Sequence, residues 1–167
     1  MSGDFVEGKD SGHAKFVADK MLGRLARWLR IIGQDVDYGS HLSGYGLIRA
    51  ARREGRLILT RDRGLRRLKP PSYLLIQSDH FRDQLKQVIR DCGLDPLKYI
   101  FTRCVECNTP LEPIAKKSIE KKVPPYVFST QEKFSLCRCC QRIYWAATHL
   151  QKMIDELKTL GFEHPGI

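Results

Sequence analysis

Two C-x-x-C pairs constrain the fold of this chain more than any other feature. Cys104 and Cys107 form the first pair, Cys137 and Cys140 form the second, and residues 108–136 lie between them. Each pair can supply one edge of a tetrahedral site, and zinc is the ion that best suits four thiolates. Because such a site has no open position for water, we expect it to organise the fold rather than to catalyse a reaction.

The second pair contains an additional thiol, which leaves the fourth ligand open between Cys139 and Cys140. The two-residue gap after Cys137 favours Cys140. A set of free cysteines and an iron–sulfur cluster are the other interpretations of the same pattern. Disulfides are disfavoured, because the polar stretch 1–15 lacks a signal core and predicts a cytoplasmic, reducing location. The sequence also contains no apolar run that is long enough to cross a membrane.

Upstream of the cysteines, short apolar runs alternate with segments of helical period. This alternation predicts an α/β fold, with a parallel sheet flanked by helices. We therefore divide the chain into a flexible arm (1–14), an α/β domain (15–100) and a zinc ribbon with a C-terminal helix (101–167). The predicted strands are 15–19, 35–38, 56–60 and 73–76, and the predicted helices are 22–32, 47–54, 79–92 and 147–160.

Acidic residues accompany the predicted strands. Asp19, Asp62 and Asp79 follow three of them, and Asp37 lies on the short second strand. Because the carboxyl ends of parallel strands meet at one edge of a sheet, we expect these carboxylates to lie near one another. Oxygen ligands select Mg²⁺ or Mn²⁺, and such an ion promotes hydrolysis of phosphodiesters. The pattern predicts a catalytic metal site at this edge.

Each acid also has a structural interpretation. Asp79 is positioned to cap the helix predicted to follow it, and Asp62 can pair with the neighbouring Arg61 or Arg63. The grouping of the acids at one edge, rather than any single acid, favours the catalytic interpretation.

The net charge favours a polyanionic partner. Lys and Arg number 29 against 19 Asp and Glu, which gives a formal charge of +10. Such a surface attracts nucleic acid. RNA is our first candidate, DNA differs only as the substrate, and nothing in the sequence indicates a protein partner. The candidate contacts to the phosphate backbone are Arg24, Arg27, Arg63 and Arg66, all of which can equally form solvated helix faces.

Three stretches closely resemble the Mut-seven C-terminal RNase family, which combines a PIN-like nuclease fold with an inserted zinc ribbon. The stretches are 16–30 (FVADKMLGRLARWLR), 59–65 (LTRDRGL) and 142–145 (RIYW), and the resemblance extends from Lys15 to about Met153. It implies an acidic site assembled from Asp19 and Asp62 and an RNA substrate. Asp37 and Asp79 are weaker correspondences, and His149 falls where the family also has a histidine.

The chain departs from the family pattern at the predicted second helix. Where the family typically carries an acidic cluster, this sequence reads Ser43-Gly44-Tyr45-Gly46, so one metal ligand of the family is missing. Two functions follow from the sequence. The first is a metal-dependent ribonuclease that hydrolyses RNA phosphodiester bonds. The alternative is a non-catalytic nucleic-acid-binding or adaptor protein with a zinc ribbon.

Overall fold

The structure is a computed structural model that describes residues 14–146 and 148–162, with the side chains of Thr148 and His149 left out. The predicted N-terminal arm therefore lies outside the described residues apart from Ala14. Within the described ranges, every helix is too short or too polar to cross a lipid bilayer.

Four parallel strands form the central sheet. They are β1 (Lys15–Ala18), β2 (Asp35–Tyr38), β3 (Leu57–Thr60) and β4 (Tyr73–Leu75), in the order β2-β1-β3-β4. The predicted α/β fold with a parallel sheet is confirmed. β1 pairs with β2 on one side and β3 on the other, so the strand order reverses at β1. In open α/β sheets, ligands bind at such a reversal, beyond the carboxyl ends of the strands.

Helices cover both faces of this sheet. On one face, Phe16, Ala18 and Leu59 pack against two helices, α1 and α3. On the other face, Val17 and Ile58 pack against α2. This arrangement explains why the strands are almost continuously apolar, since successive side chains enter opposite cores. The helices are α1 (Gly23–Ile31), α2 (Tyr45–Glu54), α3 (Phe81–Asp91), α4 (Pro125–Thr130) and α5 (Thr148–Thr159).

Two helix starts differ from the sequence prediction. α2 begins at Tyr45, two residues earlier than expected, directly after Gly44. α3 begins at Phe81, so Asp79 lies in the preceding loop and does not cap it. Instead, the Ser78 hydroxyl accepts a hydrogen bond from the His80 amide (3.0 Å), which organises the turn into α3 without Asp79.

The ribbon region contains more regular structure than its sequence indicated. β5 (Glu112–Ile114), β6 (Phe134–Leu136) and β7 (Ile143–Trp145) form an antiparallel sheet in that order. A small core of Ile119, Val123 and Phe134 supports it. The segment between the cysteine pairs therefore has apolar packing of its own, in addition to the cysteines at its ends.

Arg30 attaches the ribbon to the α/β domain. This α1 residue is only 6% exposed. Its guanidinium donates to the Val36 carbonyl (3.0 and 2.9 Å) and to the carbonyls of Val105 and Glu106 (both 2.9 Å). Burial lowers the pKa of this guanidinium, while the nearby Asp37 carboxylate opposes that shift. The first cysteine pair is thus held against the edge strand β2.

Asn108 completes this attachment. Its side-chain oxygen accepts a hydrogen bond from the Val36 backbone amide (3.0 Å), and its side-chain nitrogen donates one to Asp35 Oδ1 (2.7 Å). Together with Arg30, it satisfies the outward-facing N–H and C=O of Val36 on an edge strand. An unpaired edge is a template for unwanted strand pairing, and the ribbon covers this one.

Candidate active site and metal centre

The Thr60 side chain connects the Asp19 carboxylate to the backbone of Asp62. Asp19 follows β1 directly and is buried, whereas Asp62 follows β3 by two residues and is exposed. The Thr60 hydroxyl donates a hydrogen bond to Asp19 Oδ2 (2.9 Å) and accepts one from the Asp62 backbone amide (2.9 Å). This buried threonine therefore links the two acid-bearing segments at the reversal of strand order between β1 and β3.

Backbone amides hold each carboxylate in place. Asp19 Oδ1 accepts a hydrogen bond from the Met21 amide (3.0 Å), and Asp62 Oδ1 accepts one from the Gly64 amide (2.7 Å). Each acid thereby caps a short 3₁₀ helix, Lys20–Leu22 and Arg63–Leu68 respectively. A Cβ atom at Gly64 would lie 2.9 Å from Asp62 Oδ1, so a side chain there would displace this carboxylate. Both acids are oriented before any ligand binds.

The other two predicted acids have different surroundings. Asp37 is the β2 partner of Val17, which places it on the α2 face, like Asp19. It also lies close enough to Arg30 to influence that guanidinium. Asp79 is exposed and forms an ion pair with Arg61. The sequence suggested that Asp62 could pair with Arg61 or Arg63. In the structure, Arg61 pairs with Asp79 instead.

Carboxylate oxygens are the kind of donor that Mg²⁺ and Mn²⁺ prefer. Within residues 14–146 and 148–162, the four cysteines are the one group of three or more His, Cys, Asp or Glu side chains gathered closely enough to hold an ion. An acidic site here would therefore rest on Asp19 and Asp62. Mg²⁺ commonly binds through one or two carboxylates and completes its shell with waters and substrate phosphates, and carboxylate oxygens are the donors that this pair can offer.

The four predicted cysteines come together. The Sγ atoms of Cys104, Cys107, Cys137 and Cys140 all lie within 4.8 Å of one another. The Cys104 and Cys140 sulfurs are 3.7 Å apart. A tetrahedron with Zn–S bonds of about 2.3 Å has sulfur–sulfur edges of about 3.8 Å, so this spacing fits zinc. Cys139 is exposed and is not a member of the group. These four thiols can hold a zinc ion.

Tyr144 supports the cysteine centre. Its hydroxyl lies 3.0 Å from Cys104 Sγ, which also accepts the Cys107 amide at 3.4 Å. Burial by itself would raise the pKa of the Cys104 thiol, but these hydrogen bonds lower it to about 7. The thiolate is the form that binds metal, so the surroundings of Cys104 favour that form, whereas a hydrogen bond with Cys140 raises the pKa of the Cys107 thiol.

A family model, the Mut7-C RNAse domain, matches residues 14–157. The chain belongs to the Mut7-C RNAse domain family. The matched residues include the Asp19–Thr60–Asp62 group and all four cysteines, which confirms the resemblance seen in the sequence. No curated protein and no solved structure is significantly similar to the chain.

The predicted nucleic-acid-binding arginines of this Mut7-C chain lie on two surfaces. Arg63 and Arg66 are exposed on the 3₁₀ helix that follows Asp62. The Arg24 guanidinium lies 4.3 Å from the ring centroid of Phe81, against α3. Arg27 Nη2 lies 3.2 Å from Glu106 Oε1, beside a cavity of about 310 Å³ between α1 and the ribbon. Arg63 and Arg66 are therefore the pair that adjoins the acids.

Sequence reasoning missed Thr60 as part of the Mut7-C site. Threonine is common in strands, so its place at the end of β3 suggested only a β-forming residue. The available signal was its position immediately before Arg61-Asp62 in the stretch that carries the resemblance. A buried hydroxyl needs a hydrogen-bond partner, but the carboxylate that accepts from Thr60 is that of Asp19, 41 residues away in sequence, which no local pattern indicates.

Proposed function

We propose that this chain is a metal-dependent ribonuclease that hydrolyses RNA phosphodiester bonds at a site formed by Asp19 and Asp62. One observation carries this proposal. The Thr60 hydroxyl bonds the Asp19 carboxylate and the Asp62 backbone, at the point of a parallel sheet where ligands usually bind. Membership of the Mut7-C RNAse domain family supports the same activity.

In this proposal, Asp19 and Asp62 hold Mg²⁺ or Mn²⁺. When bound, such an ion stabilises charge on the phosphate and lowers the pKa of a coordinated water. The amides of Met21 and Gly64 and the Thr60 hydroxyl keep both carboxylates oriented, so little reorganisation is needed when substrate arrives. The buried Asp19 anchors the ion, and the exposed Asp62 faces solvent and substrate.

We assign supporting roles to the other predicted residues. Asp37 and Asp79 add negative charge near the sheet edge, and Asp79 contributes once Arg61 turns to a substrate phosphate. Arg63 and Arg66 contact the RNA backbone beside the acids, and Arg24 and Arg27 hold a more distant part of the strand. The cysteine centre binds structural zinc, and a reducing cytoplasm would keep its thiols available.

The test is cleavage of single-stranded RNA with added Mn²⁺ by zinc-loaded protein. Asp62→Asn preserves the size of the side chain and its place as a cap but weakens metal binding. We expect it to abolish cleavage while the protein stays folded. Asp91→Asn is the matched control, because Asp91 lies at the end of α3 and pairs with Arg90. Cleavage that survives Asp62→Asn would mean that another site or a contaminant is responsible.

A non-catalytic nucleic-acid-binding protein is the second candidate. It is favoured by the non-acidic segment Ser43–Gly46 and by the ion pair between Arg61 and Asp79, which engages one of the predicted acids. This function predicts RNA binding that weakens steeply with salt and no turnover with any divalent ion. Binding titrations at two salt concentrations, run beside the cleavage assay and repeated with DNA of the same sequence, separate the possibilities.

A further inference from the structure

Two exposed apolar side chains lie at the same sheet edge as the acids. Among residues 14–146 and 148–162, the large hydrophobic side chains that are at least about a third exposed are Met21, Tyr45, Tyr73 and Tyr126. Met21 is 61% exposed and Tyr45 is 68% exposed. Single exposed apolar residues are ordinary on protein surfaces, so their location, rather than their exposure alone, is what carries information.

The loop that leads into Tyr45 lies between the two acid-bearing segments. On one side, the Lys20 amide donates to the Leu42 carbonyl (3.3 Å), which attaches the loop before α2 to the turn that follows Asp19. On the other side, a Cβ at Gly44 would lie 4.0 Å from Leu68 Cδ1, in the 3₁₀ helix that follows Asp62. The residue immediately before Tyr45 thus lies near Leu68, at the end of the 3₁₀ helix that Asp62 caps.

The backbone at Gly44 shapes the turn that leads into α2. Gly44 has φ 49° and ψ −121°, a conformation that side-chain-bearing residues rarely adopt. The chain turns there sharply into α2, whose Leu47 and Ile48 are buried against the sheet. Tyr45, at the first position of the helix, remains in solvent at the carboxyl edge. Met21 is also tied to the site, because its amide bonds Asp19.

An exposed ring beside a phosphodiester-cleaving site suits one kind of ligand. Unpaired bases stack on aromatic side chains, whereas the bases of a duplex are already stacked on one another. The exposed Arg63 and Arg66, in the same 3₁₀ helix as Leu68, supply positive charge for the phosphates between such bases. The formal charge of +10 complements the same ligand.

We propose that Tyr45 stacks on an unpaired base of single-stranded RNA and so positions the adjoining phosphate at Asp19 and Asp62. Met21 provides a second apolar contact for the same nucleotide or its neighbour. This inference rests on the proposed nuclease site and adds a preference for single strands.

The test measures binding of zinc-loaded protein to single-stranded RNA of about 12 nucleotides, without added Mg²⁺ or Mn²⁺. We expect Tyr45→Ala to raise Kd by about 5- to 100-fold, and Tyr45→Trp to bind like the wild type. Tyr126→Ala is the matched control, because Tyr126 is 76% exposed but lies on α4 in the ribbon. It should change Kd by less than about twofold.

An RNA of the same length with abasic positions distinguishes stacking from a general loss of structure. The proposal requires that Tyr45→Ala has little further effect on the weaker binding of this RNA. Unchanged binding of normal RNA by Tyr45→Ala, or an equal loss on normal and abasic RNA, would overturn it.

The outcome is separable from that of the cleavage assay. If the wild-type protein does not cleave RNA but Tyr45→Ala still weakens RNA binding, the stacking contact stands and the ribonuclease proposal is wrong. If Asp62→Asn abolishes cleavage but Tyr45→Ala changes neither KM nor Kd, the ribonuclease proposal stands and only the stacking contact is wrong.

Discussion

Arg30 and Arg27 lie one turn apart on α1, and replacing each with alanine should have very different effects on stability. The two Arg30 hydrogen bonds to the buried Val36 carbonyl count most, because alanine leaves that acceptor unpaired. A hydrogen bond from a charged group is worth about 1.5–3 kcal/mol. The Val105 and Glu106 carbonyls are only partly buried, so water can replace part of their bonds. We expect Arg30→Ala to lower the free energy of unfolding by about 2–4 kcal/mol.

Arg27→Ala is the control for this prediction. Its side chain is 60% exposed, and its ion pair with Glu106 (3.2 Å) is of the kind that contributes about 0–1 kcal/mol. Urea denaturation of zinc-loaded protein measures both variants. With a slope of about 2 kcal/mol per molar urea, Arg30→Ala should lower the midpoint by about 1–2 M, and Arg27→Ala by less than about 0.5 M.

The same pair of variants tests whether Arg30 supports the ribbon. Because Arg30 binds the carbonyls within the first cysteine pair, Arg30→Ala should also release zinc to a competing chelator more readily than Arg27→Ala does. Equal midpoints and equal zinc release for the two variants would refute the account of how the ribbon is attached.

Three further predictions follow from the contacts described above. Thr60→Val, which keeps the side-chain shape but removes the donor to Asp19 Oδ2, should weaken Mn²⁺ binding several-fold with little change in secondary structure by circular dichroism. Burial opposes the low pKa of Asp35, but hydrogen bonds from Arg56 and Asn108 outweigh it. A carboxyl with a lowered folded-state pKa stabilises the protein above its unfolded pKa of about 4 and loses this effect as the pH falls further. The stability gap between wild type and Asp35→Asn should therefore be largest near neutral pH and should shrink below about pH 4 in urea titrations. Cys107→Ser should abolish stoichiometric zinc binding by atomic absorption and shift the fluorescence of Trp145, which packs against the small ribbon core.

The parallel sheet was predictable because both of its faces are buried. Successive side chains of two strands enter cores on opposite sides of the sheet, as in Phe16-Val17-Ala18 and Leu57–Thr60. Such strands therefore appear in the sequence as short, continuous apolar runs between helical segments. The ribbon strands were not predictable in the same way. Each has three residues, and β5 contains Pro113, so no period can be recognised.

The candidate site was predictable in position but not in its contacts. Asp19 and Asp62 follow parallel strands, so the strand direction alone places them at the same edge of the sheet. The pairing of Arg61 with Asp79 rather than with Asp62 depends on the loop before α3, whose turn is organised by Ser78. The role of Thr60 depends on which face its hydroxyl occupies. These features are set by packing between distant segments, which local sequence patterns do not encode.

Direct measurement of Mn²⁺ binding tests the central claim that Asp19 and Asp62 form one metal site. Titration of zinc-loaded protein, followed by the loss of the free Mn²⁺ electron paramagnetic resonance signal, should show one Mn²⁺ bound per chain. Binding should be lost in Asp19→Asn and in Asp62→Asn and kept in Asp91→Asn. Wild-type protein that binds no Mn²⁺, or binds it equally well in all three variants, would contradict the account.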